Sequence, residues 1–178
     1  VDLLGTSRMG RLALFLVLAR VCHQGSRLSA VGWAENHAVA EVLGLDAFDE
    51  DALYDALDWL AAEQDRIEIG LAKRRAPATL YLYDVTSSYL EGQQNELSAP
   101  GYNRDGKRFK KQIVVGLLTD EIGEPVSVRV YAGNTSDPKT VADPIRFVAY
   151  KLGAKNVIFV GDRGMVTTTP REELAAAG

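Results

Sequence analysis

The stretch TLYLYDVTSSYLEG, at Thr79–Gly92, determines how the second half of the chain is interpreted. Its apolar run Leu80–Tyr83 ends on Asp84 and is followed by small hydroxyl residues. This pattern is typical of a buried strand that delivers one carboxylate to the edge of a sheet. The segment NVIFVGDRGM, at Asn156–Met165, has the same form and leads to Asp162. Two buried strands that each end on an aspartate predict a shared metal site or acid/base site.

The composition is that of an ordinary globular protein, with 47% hydrophobic and 25% charged residues in 178. Cys22 is the only cysteine, which excludes internal disulfides and multi-cysteine zinc sites, and two histidines are too few for a histidine-rich metal site. The longest apolar run, Leu12–Val21, is shorter than the roughly 20 residues of a membrane span, and no clear signal-peptide cleavage site follows it. We therefore expect a cytoplasmic protein with no membrane partner.

The net charge of −4 argues against a nucleic-acid partner, but the charge is unevenly distributed. The segment Glu41–Asp65 contains nine acidic residues and no lysine or arginine, so an acidic helical region can mask a basic loop in the total. That basic loop lies within Tyr102–Lys111 and contains Arg104, Lys107, Arg108, Lys110 and Lys111. It is either a solvated hairpin or a loop that contacts phosphates with sequence-independent, salt-sensitive affinity.

The first 75 residues predict a helical N-terminal lobe. Helices are expected at Arg8–Gln24, at Ser29–Leu43, and from an N-cap at Asp49 to about Lys73, because apolar residues recur there at helical spacing. Arg74–Ala78, which contains a proline, is expected to be a short hinge before a second domain over residues 76–178.

The second domain predicts an α/β fold. Strands are expected at Thr79–Val85, Gln112–Thr119, Val126–Ala132 and Asn156–Gly161. The first three have short connections and can pair antiparallel, while a helix ending at Leu152 carries the chain to a fourth strand parallel to the first. In the third strand, valines alternate with polar residues, which predicts one buried and one polar face. A last helix is expected to begin near Pro170.

This topology predicts that Asp84 and Asp162 meet at one rim of the sheet. Two converging aspartates suit Mg²⁺, a hard cation that prefers carboxylate oxygen. In two-metal sites the ions clamp the attacking and leaving oxygens of a phosphodiester, and such sites need a third acidic ligand. The alternative interpretation is structural, since an aspartate at the end of a strand often caps a turn or helix.

The chain resembles bacterial insertion-sequence transposases of the DDE class, whose catalytic core has an RNase H-like fold. The resemblance covers roughly the second half of the chain. Its segments are YDVTSSYLEG at Tyr83–Gly92, GYNRDGKRFKKQIVVGLL at Gly101–Leu118, GEPVSVRVYAGNTSD at Gly123–Asp137, and VGDRGM at Val160–Met165. The helical segment EVLGLDAFDEDALYDALDWL is similar to the region that precedes the core in these proteins.

The resemblance implies that Asp84 and Asp162 are the first two catalytic residues. In the complete enzyme they would bind two Mg²⁺ (or Mn²⁺) ions together with a later glutamate. Glu172 and Glu173 follow Asp162 too closely to be that glutamate. We therefore expect a C-terminally truncated transposase that lacks the third ligand and is inactive alone. Its expected partner is DNA, both transposon ends and target, which it would bind through the basic loop and Arg163 as a homo-oligomer.

Two alternatives remain. The chain is a DNA-binding or dimerisation module that derives from a transposase and has no catalytic activity, or it is a phosphatase of the haloacid-dehalogenase kind. The phosphatase motif requires a second aspartate two residues after the first, where this sequence has Thr86.

Overall fold

A computed structural model describes residues 2–92, 94–101 and 110–165. The chain divides into two compact units, Val1–Leu71 and Ala72–Gly178. Over the described residues, no helix is both long enough and apolar enough to cross a membrane.

The first unit is built from helices. They are α1 (Arg8–Cys22), α2 (Arg27–Glu35), α3 (Val39–Val42), α4 (Glu50–Ala62) and α5 (Gln64–Ala72). Its core contains Phe15, Leu12 and Leu53, all fully buried. The Phe15 ring packs against the rings of Trp33 and Phe48, with centroid distances of 5.8 Å and 4.9 Å.

Two of the predicted helices are each divided, so the predicted bounds Ser29–Leu43 and Asp49–Lys73 are wrong. α2 ends because the Asn36 side chain donates to the Gly32 carbonyl (2.7 Å) and His37 Nδ1 contacts the Trp33 carbonyl (2.8 Å), which satisfies carbonyls at the end of the helix. The second break lies between α4 and α5 at Glu63, whose ψ of 2° departs from helical geometry.

Asp49 is the N-cap of α4, as predicted: its carboxylate accepts a hydrogen bond from the Ala52 N–H (2.9 Å). Asp49→Ala is expected to destabilise the first unit by about 1 kcal/mol and to lower its melting temperature by about 4–8 °C. Both tryptophans, Trp33 and Trp59, lie in this unit, so thermal unfolding followed by tryptophan fluorescence measures it selectively. Asp58→Ala, at an exposed position inside the same helix, is the matched control, and an equal loss in both variants would contradict the assigned cap.

The second unit is a mixed sheet. Its strands are β1 (Leu80–Tyr89), β2 (Ala99–Pro100), β3 (Lys111–Asp120), β4 (Pro125–Ala132) and β5 (Ile158–Gly161). β3 pairs antiparallel with β1 on one side and with β4 and β2 on the other, and β5 pairs parallel with the opposite edge of β1. The predicted α/β arrangement of three antiparallel strands, a helical crossover and a fourth strand parallel to the first is confirmed. The short strand β2 was not predicted.

The crossover segment, residues 137–151, is not the single helix that the sequence predicts. It consists of α6 (Asp137–Thr140), α7 (Ala142–Arg146) and a π-helical segment (Phe147–Lys151). Pro144 has no N–H to donate to the Thr140 carbonyl four residues earlier, so a continuous α-helix cannot be completed there. That carbonyl instead accepts hydrogen bonds from the hydroxyls of Tyr83 (3.2 Å) and Tyr131 (3.1 Å).

The predicted burial of β4 is correct at Val126, which is buried, but wrong for the rest of the strand. Val128 and Val130 are 41% and 48% exposed, whereas Arg129 and Tyr131 are only partly exposed. Tyr131 hydrogen-bonds to that segment, and the Arg129 guanidinium lies over the Phe147 ring at 5.2 Å. The long amphipathic side chains of Arg129 and Tyr131 therefore cover the inner side, and Val128 and Val130 are left on the outer face of the sheet.

Candidate functional site

The structure brings Asp84 and Asp162 together. The parallel pairing of β1 with β5 runs from Leu80 opposite Ile158 to Tyr83 opposite Gly161, so the two aspartates are the next residues in register. Both line one shallow cavity of about 450 Å³. We name Asp84 and Asp162 the carboxylate pair.

Asp84 does not end its strand, contrary to the sequence prediction. β1 continues to Tyr89, because the residues after Asp84 pair with β3, for example Thr86 with Val115. The pairing with β5 does end beside Asp84. Asp84 therefore lies inside the long strand β1, at the point where the shorter parallel strand β5 ends. On its other side, the backbone of Asp84 pairs with Leu117 of β3.

The carboxylate pair lies on what we name the open face of the sheet. Along β1, exposed residues alternate with buried ones, and the cross-strand neighbours of Asp84 on this face are Leu117 and then Val128. Leu82 and Val160, which precede the two aspartates, are also exposed. The pair is thus surrounded by solvent-exposed aliphatic side chains, an arrangement typical of a surface that another molecule or segment contacts.

The charges of the pair are not balanced locally. In the described part of the chain, neither carboxylate has a lysine, arginine or histidine within ion-pairing distance, and no cluster of three potential metal ligands is present. The Asp84 carboxylate accepts a hydrogen bond from the Val85 N–H (2.8 Å). Accessible carboxylate oxygens without a cation partner fit a hard divalent cation such as Mg²⁺ or Mn²⁺.

Two tyrosines, Tyr83, which is buried, and Tyr131, which is partly buried, support the sheet on the opposite face. Tyr83 and Tyr131 both donate to the Thr140 carbonyl, and burial raises the pKa of each phenol, so both remain neutral donors at neutral pH. The Tyr83 ring passes directly over Gly116 of β3. This support was not predicted from the sequence, although two signals were present. A glycine inside a strand, here Gly116, indicates that another group approaches the backbone closely. Pro144 has no N–H, so the Thr140 carbonyl four residues earlier is left without a helical hydrogen bond.

The predicted DNA-binding residues are only partly described. Arg104, Lys107 and Arg108 lie outside the described residues. Lys110 forms an ion pair with Glu91 (2.5 Å), and Lys111 begins β3.

Lys111 and Arg163 lie on the same side of Asp84 along the sheet. The Leu90 N–H donates to the Lys111 carbonyl (3.0 Å), so Lys111 is six residues, or about 20 Å, beyond Asp84 along β1. Arg163 is exposed in a turn closed by the hydrogen bond from the Met165 N–H to the Asp162 carbonyl (2.9 Å).

Comparison with solved structures finds complexes of the Mos1 transposase. They are the paired-end complex with left transposon end (13% identity, TM-score 0.37), the pre-cleavage transpososome (12%, 0.38) and the mariner Mos1 paired end complex with Mg (13%, 0.37). The matches cover 93–94% of this chain and 56% of the Mos1 chains, so this chain spans little more than half of their length. No protein-family model and no curated protein matches the sequence. Likeness at this level is too low to assign a function.

Proposed function

We propose that the second unit is part of the catalytic core of a DDE-type transposase and acts on a DNA phosphodiester at the carboxylate pair. The observation that carries the proposal is the register of β1 and β5, which makes Asp84 and Asp162 neighbours although they are 78 positions apart in the sequence. The exposure of both carboxylates leaves room for a substrate backbone beside them.

Asp84 and Asp162 are the residues that would hold the divalent metal, Mg²⁺ or Mn²⁺. When bound, the metal would activate the attacking hydroxyl and neutralise charge that develops on the phosphodiester. The exposed side chains of Leu82, Leu117 and Val160 would be covered when DNA or a further protein segment docks, and the resulting exclusion of water strengthens electrostatic interactions at the pair. The third acidic ligand would have to come from a segment packed on the open face.

The basic residues would hold the DNA backbone. Lys110 and Lys111, with Arg104, Lys107 and Arg108 of the same loop, would contact phosphates beyond the carboxylate pair, and Arg163 would do so next to Asp162. The ion pair of Lys110 with Glu91 is solvent-exposed, and pairs of this kind contribute about 0–1 kcal/mol, so exchanging it for a phosphate costs little. Assembly as a homo-oligomer on DNA is part of the same proposal.

Removal of four of these charges is expected to flatten the salt dependence of DNA binding. The variant is Lys107, Arg108, Lys110 and Lys111 to alanine. The slope of log K against log [salt] should fall in magnitude by up to about 3–4, because each neutralised phosphate contributes about 0.9. The measurement is fluorescence anisotropy with duplex DNA at several salt concentrations.

The control removes the same charge from exposed positions outside the loop: Lys139, Arg146, Lys151 and Lys155 to alanine. Equal slopes for the two variants would remove the loop from the interface.

A nicking and strand-transfer assay separates the proposed function from its alternative. DNA strand cleavage that requires Mg²⁺ or Mn²⁺ and is lost in Asp84→Asn supports a catalytic core. Salt-sensitive DNA binding without cleavage, even when a glutamate-bearing segment is supplied on a second chain, supports the non-catalytic DNA-binding or dimerisation module. Absence of both DNA binding and cleavage would contradict both.

A further inference from the structure

The segment that joins α5 to β1, residues 73–78, is attached to the rest of the second unit at few points, and we name it the strap. At its start, the Arg75 N–H donates to the Ala72 carbonyl (3.1 Å), and just after its end the Ile158 N–H donates to the Thr79 carbonyl (2.8 Å). Among the described residues, no hydrogen bond holds the backbone of positions 76–78, which contain only alanine and proline. Backbone hydrogen bonds therefore fix the strap only at its two ends.

A cavity of about 300 Å³ lies between the strap and the sheet. The strap forms one side of it. On the other side, the sheet contributes Tyr81, Asp120 and Val126, and the loop after the crossover segment contributes Leu152 and Ala154. The strap is therefore separated from the sheet by open space rather than packed closely onto it, so few van der Waals contacts hold it there.

The closed strap also covers a tyrosine whose hydroxyl has no partner in the described part of the chain. Tyr81 is 4% exposed, and its hydroxyl forms no hydrogen bond with a described residue. Burial, and then the charges of Glu121 and Asp120, raise the pKa of this phenol, so it stays protonated at neutral pH. When the strap opens, the hydroxyl gains access to bulk water, which favours the open state.

The Arg75 side chain supplies the attachment that the backbone and the packing lack. Its Nη1 donates to the Pro125 carbonyl (2.9 Å), and its guanidinium lies 3.3 Å from the Glu124 carboxylate and 3.9 Å from the Asp120 carboxylate. Asp120 also accepts hydrogen bonds from the N–H groups of Ile122 (3.1 Å) and Glu124 (2.8 Å), which fix it in the turn between β3 and β4. The side chains of Arg75 and Asp120 are only 30% and 10% exposed, so solvent screens this pair less than a surface ion pair. We name these contacts of Arg75 the latch.

We propose that the strap is a conformational device with two states. In the closed state the latch holds it against the end of the sheet, and in the open state Arg75 has left Asp120 and Glu124 while the sheet stays intact. The segment predicted to be a hinge is thus a free connection between the two units only when the strap is open. The balance between the states depends on salt, because ions screen the attraction of Arg75 for the two carboxylates more than its hydrogen bond to the Pro125 carbonyl.

Limited digestion with trypsin tests the strap, because trypsin cleaves after lysine and arginine and the strap contains Lys73, Arg74 and Arg75. Cleavage after Arg75 requires that this side chain enter the pocket of the protease, which the latch prevents. When the strap opens and closes faster than it is cut, the rate of cleavage follows the population of the open state. We expect this rate, followed by mass spectrometry of the fragments, to rise about tenfold in Asp120→Asn, which removes the more buried charge. In Glu124→Gln, which removes an exposed charge, it should rise about threefold.

Salt provides a second arm of the same experiment. An increase from about 0.05 M to about 0.5 M NaCl should speed cleavage after Arg75 in the unaltered chain but not in the double variant Asp120→Asn/Glu124→Gln, which has no charge left to screen. A synthetic peptide with the sequence of residues 70–80 measures the effect of salt on trypsin itself, and each rate is divided by that of the peptide.

The matched control is Glu121→Gln, which removes an exposed acidic charge from the same turn without touching Arg75 and should leave the rate unchanged. Near-ultraviolet circular dichroism of the tyrosines should be the same in all of these proteins, because the sheet stays folded. Glu124→Gln, at a position 54% exposed, keeps the test valid if Asp120→Asn weakens the turn. Equal cleavage after Arg75 in the unaltered chain and both latch variants overturns the proposal. So does faster cleavage that comes with loss of the tyrosine signal in both, since the whole unit would then have unfolded.

Discussion

Replacing either aspartate of the carboxylate pair with asparagine is expected to lower the affinity of the protein for Mn²⁺ at least tenfold. Asparagine keeps the size and one oxygen of the side chain but removes the negative charge that a hard divalent cation requires. Removing a residue that only hydrogen-bonds to a metal ligand typically lowers the affinity for the metal by about ten- to hundredfold. Loss of a direct ligand should therefore lower it at least as much. Asp84→Asn and Asp162→Asn should be similar, because each leaves a single carboxylate.

The measurement is calorimetric titration with Mn²⁺, with urea unfolding as a check on the fold. Both aspartates are exposed and form no ion pair with a described residue, so each variant should change the free energy of unfolding by no more than about 0.5 kcal/mol. If the two residues act on one ion, the loss of Mn²⁺ binding free energy in the double variant should differ from the sum of the two single losses. Glu121→Gln, which removes one exposed acidic charge from the turn after β3, is the matched control. Equal Mn²⁺ binding in all of these proteins would disprove the paired site.

Connection lengths predict only part of this arrangement. The turn of residues 121–124 between β3 and β4 favours antiparallel pairing, and the helical crossover from β4 favours a parallel strand beside β1. The connection from β1 to β3, residues 90–110, is not short, so its length does not determine the antiparallel pairing of these two strands. That topology is sufficient to place Asp84 next to Asp162, because both follow apolar runs of similar length. The chemistry of the pair is a separate matter and rests on the proposed function.

The parts that the sequence does not predict depend on tertiary contacts. The extent of β1 beyond Asp84 comes from pairing with β3, which makes a strand of the polar residues Thr86–Ser88. From Val128 onward, the side chains of β4 point to the opposite faces from those predicted. The reason is that Tyr131 and Arg129 contact the crossover segment, whereas Val128 and Val130 are exposed. Hydrophobicity alone assigns the valines to the inside, since alternation gives the period of a strand but not which of its faces is covered.

Gly116→Ala is expected to destabilise the second unit by about 1–3 kcal/mol, the usual cost of forcing an extra methyl group into a packed core. A Cβ at this position would lie 2.2 Å from the Tyr83 hydroxyl oxygen and 2.9 Å and 3.0 Å from two atoms of its ring. The ring cannot move aside easily, because Tyr83 is buried and its hydroxyl is bound to the Thr140 carbonyl. Since Tyr83 directly precedes Asp84 and pairs with Gly161, displacing it should also weaken Mn²⁺ binding at the carboxylate pair.

A double-mutant cycle tests whether this contact is the cause. Tyr83→Phe removes the atom nearest to the new methyl group, so Gly116→Ala should cost less in the Tyr83→Phe background, with a coupling of about 0.5–3 kcal/mol. Rescue should be incomplete, because the two ring contacts remain. Urea unfolding followed by near-ultraviolet circular dichroism of the tyrosines reports on this unit, which holds six of the seven. Gly92→Ala, where a Cβ meets no atom within 4 Å, should be nearly neutral. Strict additivity of Gly116→Ala and Tyr83→Phe would show that the methyl group acts elsewhere and that the tyrosine does not hold β1 beneath the aspartates.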